Sequence, residues 1–213
     1  MRRFLILAAA VLLCSCAGRN RYTVEGTVAG DDRTLYLCVA GSVCDSAQTE
    51  KGSFRLRGTT KMPQIAMLCD APDGTGALHT IVFLEQGQIA IVPDSTDEMR
   101  YFATGTPAND AFRQFSASQV ALIEEYRNPA TSDDRRRQIA REELSGLARR
   151  MMQENRDNLF GAIMLEEATY YGLSGEELLG EISRFSPEMQ QTELLLDLKR
   201  QAEQQLQTAA SGS

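Results

Sequence analysis

Thr104-Gly105-Thr106-Pro107-Ala108-Asn109-Asp110 is where the chain changes its periodicity. Before Thr106, short apolar runs alternate in period two between Gly, Asp and Pro punctuation; after it, apolar positions recur at helical spacing. Thr106 suits an N-cap and Pro107 the first helical position, where a missing N–H costs nothing. Upstream, residues 22–28, 34–40, 43–49 and 54–57 read as strands, followed by 64–68, 77–84, 88–92 and 99–103. In the second of these, Leu35, Leu37 and Val39 share one face while Tyr36 and Cys38 take the other. Seven or eight short strands at this spacing predict an antiparallel β-sandwich or partly open barrel over residues 22–105.

Downstream, residues 106–208 read as an all-helical domain, which makes the fold class α+β. Phe112, Phe115, Ile123 and Tyr126 mark a first helix that Asn128-Pro129 ends. Ser132-Asp133-Asp134 caps a second, with Ile139, Leu144, Leu147 and Met151 as its apolar stripe. A third covers about 158–171, and Ser174-Gly175-Glu176-Glu177 has the form of a capping box opening a fourth. Ser186-Pro187 opens a fifth, and 209–213 should fray.

The N-terminus carries an address. Arg2-Arg3 precedes an apolar run over 4–13 that is too short to span a bilayer as a helix. Leu13-Cys14-Ser15-Cys16 then resembles a bacterial lipobox, which implies a signal peptide over 1–15, cleavage after Ser15, lipid on Cys16 and a tether over 16–21. The expected location is the cell envelope, on the periplasmic side of the outer membrane. The net charge of −7 disfavours nucleic acid and anionic headgroups as partners. A 43% hydrophobic, 24% charged composition is that of an ordinary globular chain.

Three further cysteines remain, in a compartment that permits disulfides. Cys38 and Cys44 flank a hairpin turn, so a disulfide there could lock the hairpin, and Cys69 could be a free, buried thiol. A structural bridge or inert core thiols are the plain reading; a redox-responsive trio is the functional one. His79 is the only histidine and cannot build a multi-histidine metal site, so no cofactor is expected. Asp94-Ser95-Thr96-Asp97-Glu98 lacks a full calcium-loop pattern, and Gly74-Thr75-Gly76 lacks the Lys-Ser/Thr of a phosphate loop. Glu124-Glu125 and Glu166-Glu167 are neighbours that diverge by about 100° on a helix and cannot act on one bond. Arg135-Arg136-Arg137 is offset by Asp133 and Asp134 and reads as helix surface, while Tyr170-Tyr171 could line a groove.

A set of ordered motifs adds a resemblance. Tyr22-Thr23-Val24-Glu25-Gly26-Thr27-Val28, Lys51-Gly52-Ser53-Phe54, Phe83-Leu84-Glu85-Gln86-Gly87 and Gly105-Thr106-Pro107-Ala108-Asn109-Asp110 follow one another over about 22–115. In that order they resemble a domain of unknown function found ahead of thioredoxin-like (TlpA-type) domains in bacterial envelope lipoproteins. In such relatives the redox chemistry belongs to a downstream Trp-Cys-x-x-Cys. This sequence has no Trp and no Cys-x-x-Cys, so thiol reductase activity is not carried over. The expectation is a lipid-anchored, non-catalytic binding or scaffolding module whose partners are the membrane and an envelope protein or ligand. The alternatives are a thiol-redox accessory of a separate thioredoxin-like protein, and a glycan or peptide binder using a groove between the two halves.

Overall fold

A computed structural model describes residues 20–74, 76–95, 97, 100–169 and 172–211. The signal peptide expected over 1–15, the lipid attachment expected at Cys16 and the Tyr170-Tyr171 pair lie outside the described residues. Among the described residues, eight strands form two four-stranded sheets. β1 (Asn20–Thr27), β4 (Ser53–Thr60), β7 (Gly87–Pro93) and β8 (Tyr101–Thr104) build the first, in the order β4-β1-β7-β8. β2 (Thr34–Val39), β3 (Ser42–Gln48), β5 (Gln64–Cys69) and β6 (His79–Leu84) build the second, in the order β3-β2-β5-β6. The α+β reading holds: the sheets remain unclosed, and a helical region follows them.

Alternation makes the sandwich. In β4, Phe54 and Leu56 are buried while Ser53, Arg55 and Arg57 are exposed. Val24, Leu35, Leu37, Leu68, Val82, Leu84 and Ile89 meet between the sheets, each fully buried. Burial at that level stabilises by about 1.5–3 kcal/mol per large apolar side chain. One pairing departs from the antiparallel expectation: β1 runs parallel to β7, with Val24 opposite Ile89 and Gly26 opposite Ile91. A Cβ at Gly26 would stand 2.5 Å from the Ile91 carbonyl oxygen, so only glycine fits this pairing. The parallel pair arises because the chain changes sheets at Glu85-Gln86, between β6 and β7, instead of folding back as a hairpin. A true hairpin joins β2 to β3, where Ala40 (φ 48°) and Gly41 (φ 76°) supply the two left-handed positions of a type I′ turn.

The helical half begins with α1 (Pro107–Arg127), followed by α2 (Asp133–Gln138), α3 (Leu144–Glu154), α4 (Leu159–Thr169), α5 (Gly175–Ile182) and α6 (Glu193–Ser211). The single second helix expected from the sequence is broken by a π turn over Ile139–Glu143, closed by Leu144 N–H donating to the Ile139 carbonyl. The apolar stripe already contains the cause: Ile139 to Leu144 is a five-residue step, which a π turn accommodates and an α-turn does not. Ser174 and Glu177 complete a reciprocal capping box on α5, as their spacing predicts. The helix expected to open at Ser186-Pro187 is instead a 3-10 turn over Met189–Gln191 followed by α6. Extended backbone at Thr192, whose hydroxyl donates to the Met189 carbonyl at 2.6 Å, separates the two. Helix α6 runs to Ser211, into the stretch expected to fray. Leu147, Met151, Phe160, Leu165, Leu178 and Leu195 lie in this second core.

Candidate functional site

Odd-numbered residues of β6 point away from the sandwich interior, and their fates differ along the strand. Phe83 is 2% exposed, because α1 and α4 cover it; Ile81, two residues earlier, is 39% exposed. The Phe83 ring lies 5.8 Å from Phe112 and 6.1 Å from Phe160, and Phe115 stacks at 5.6 Å on Phe160. Such edge and tilted contacts add about 0.5–1.5 kcal/mol per pair beyond burial. This aromatic cluster is where the two halves join.

Away from that joint the outer face of the second sheet stays open. Val43, Cys38, Met67 and Ile81 are direct cross-strand neighbours, one from each of the four strands. Val43 is 45% exposed and Met67 38%, and Ile65 adds another 44% exposed side chain next to Met67 on the same face. The next row places Tyr36 opposite Cys69, and Cys69 opposite His79. A continuous apolar row across a whole sheet differs from scattered surface residues, which carry no meaning singly.

The three thiols sort themselves on this face. Cys38 Sγ lies 3.6 Å from Cys69 Sγ. Cys44, the partner expected from the hairpin, is displaced: the register shifts between Leu37 and Cys38, so Cys38 faces Val43 and Leu37 faces Asp45, leaving Cys44 as the extra residue of a β-bulge. Its thiol donates to the Leu37 carbonyl at 3.1 Å. All three are free thiols; Cys69 is buried, Cys38 half-buried and Cys44 exposed. The displacement of Cys44 from opposite Cys38 has a local cause, since one extra residue re-aims every side chain after it. Burial pushes the Cys69 thiol up to about 11, with the Cys38 contact adding to the shift. Burial also raises Cys44, helped by the Asp45 carboxylate.

The motif residues of the resemblance meet elsewhere, under the joint. Asn109, fully buried, accepts from Phe83 N–H at 2.9 Å and donates to the Phe83 carbonyl at 2.8 Å and to Thr106 Oγ1 at 2.7 Å. Glu85 accepts from Ala108 N–H at 2.7 Å, capping α1 from another element in place of the Thr106 side chain, which makes no cap bond. Burial raises the Glu85 carboxyl above its ordinary value, against opposing hydrogen bonds from Thr106, Ala108 and Asn109. Asp110 accepts from Gly105 N–H at 2.9 Å and from Thr104 Oγ1. These groups are fully engaged with one another, so the arrangement is a structural latch between sheet and helix.

Arg135 bridges Glu125 of α1 and Glu143 of the π turn, with Nε 2.7 Å from Glu125 Oε1 and Nη2 3.2 Å from Glu143 Oε2. Hydrogen bonds from the guanidinium hold Glu125 below the ordinary carboxylate value. Arg136 and Arg137 pair locally with Asp133 and Asp134. Beside this bridge an open cleft of about 580 Å³ lies between α1 and α3, with Leu122 and Leu147 at its wall and Glu142 and Arg150 among its polar groups. Asp94 sits 4.0 Å from Arg100, and Gly74 N–H donates to the Ala71 carbonyl in a turn. Among the described residues, no three His, Cys, Asp or Glu side chains are grouped to hold a metal ion. No helix among them is long and apolar enough to cross a membrane.

No curated protein matches the chain. Residues 22–112 match the family model described as Domain of unknown function (DUF4369), a span that takes in both sheets and ends at the Phe112 of the aromatic joint. The β half of this chain, with the opening of α1 latched to it, is thus similar to that domain of unknown function.

Proposed function

We propose that this is a lipid-anchored, non-catalytic envelope protein, held through acyl chains on Cys16 and binding another envelope protein through the outer face of its second sheet. The observation that carries the reading is the uncovered row Val43, Cys38, Met67 and Ile81. An apolar surface of this continuity is what a protein partner buries, and water is a poor substitute for one. The net charge of −7 selects a partner whose apolar patch carries a basic rim. The lipid would confine both to one membrane and raise their effective concentration.

The test is site-specific photo-cross-linking in intact envelopes. A cross-linker at Met67 or Ile81 should give one discrete protein adduct, and the same group at Arg55 on the opposite sheet should give none. Replacing Cys16 with Ser should release the protein from the membrane fraction and weaken the adduct. Equal labelling at Met67 and Arg55, or none at either, would remove the support for this face.

A further inference from the structure

Cys38 and Cys69 occupy adjacent antiparallel strands on one face, their sulfurs 3.6 Å apart, and they differ sharply in access. Cys69 is 1% exposed; Cys38 is half-buried and sits in the open row. In the register they are diagonal neighbours, Cys38 opposite Met67 and Cys69 opposite Tyr36. A disulfide needs the sulfurs at about 2.05 Å, so closing the pair takes a movement of about 1.5 Å.

We propose that Cys38 and Cys69 are an entry thiol and a resolving thiol that close a reversible cross-strand disulfide on exchange with an external disulfide. The claim goes beyond the binding reading and stands independently of it. The Cys38 thiolate attacks one sulfur of an incoming disulfide, forming a mixed disulfide and releasing the first thiol. The Cys69 thiolate then attacks Cys38 Sγ, closing the internal bridge and releasing the second. Two protein thiols become one disulfide while the external disulfide becomes two thiols, so electrons and protons balance. The order follows from access, because a buried thiol cannot meet an external disulfide first. The high Cys69 value fits the second role: its thiolate is scarce at neutral pH and acts only on a sulfur already in contact. Cys44 takes no part; its thiol is turned to the Leu37 carbonyl.

The experiment uses the full chain with its thiols reduced, oxidised glutathione as the external disulfide, acid quench, alkylation and tryptic mass mapping. Cleavage after Arg33, Lys51, Lys61 and Arg100 puts Cys38 and Cys44 together in residues 34–51 and Cys69 in 62–100. The expected product joins these two peptides, with Cys44 alkylated, and Cys44→Ser leaves the yield unchanged. Cys69→Ser should accumulate glutathione on Cys38, which the unsubstituted chain does not retain. Cys38→Ser should leave Cys69 unmodified over the same time. Should Cys69→Ser fold poorly, Cys69→Ala serves the same purpose in an apolar setting. A bond formed within 34–51, glutathione trapped on Cys44, or three unreacted thiols while free cysteine is consumed would each overturn the proposal.

Discussion

The two ends of the second sheet's outer face carry the same kind of side chain and meet different fates. At one end Phe83 is sealed by Phe112 and Phe160; at the other Met67 and Ile81 stand in solvent. The strand pattern is alike at both, so alternation states which side chains leave the sandwich and not what covers them. Coverage is decided by the latch. Asn109 and Glu85 bind the start of α1 to the end of β6, and the helix can shield only what lies beneath it.

Substitution at the covered end should have the largest effect. Phe83→Ala removes an aromatic ring from the joint and should cost about 3–5 kcal/mol in urea unfolding, while Met67→Ala and Ile81→Ala should stay within about 0.5 kcal/mol. A comparable loss at both ends would mean the outer face is uniformly packed and would end the contrast. Next in size, Asn109→Ala leaves the buried Phe83 N–H and carbonyl without partners. About 2–4 kcal/mol is expected for two stranded backbone groups, and amide exchange at Phe83 should accelerate with it.

Glu85→Gln sharpens the comparison through pH. The folded-state carboxyl is raised, so its contribution to stability is present below the unfolded value and is lost as pH rises through the folded one. Unfolding free energies of Gln and Glu forms, measured from pH 4 to 8, should therefore diverge in favour of Gln as pH rises. A constant difference would show that Glu85 does not titrate on folding. Asp32 and Glu177 are shifted the opposite way by backbone hydrogen bonds and lose their contributions as pH falls, identically in both proteins. The smallest effect lies away from both ends: Gly146 in α3 faces open space where a Cβ would go, so Gly146→Ala should raise stability by about 0.5–1 kcal/mol.

The β-to-helix switch at Thr106, most strand positions and the Ser174 capping box were legible because each is a local signal written within a few residues. The π turn was not legible: the five-residue step from Ile139 to Leu144 passes as ordinary stripe irregularity within one helix. Nor was the thiol pairing. Cys38 and Cys44 are six residues apart across a turn, and a single bulge residue, invisible to alternation, hands Cys38 to a strand thirty-one residues away. The parallel β1–β7 pair escaped for a similar reason, since sequence spacing does not say in which sheet a strand lands.

By itself the sequence determined most of the strand and helix segments and which side chains are present to act chemically. These depend on backbone preference, periodicity and side-chain type, all properties of neighbours along the chain. Only the tertiary structure decided that Cys38 meets Cys69, that Glu85 caps a helix from another element, and that half of one sheet face remains open. The first two are contacts between residues distant in sequence, and the third is the lack of a covering element among the described residues. All are set by where the chain changes sheets and by one extra residue in β3, which have no signature at the positions they affect.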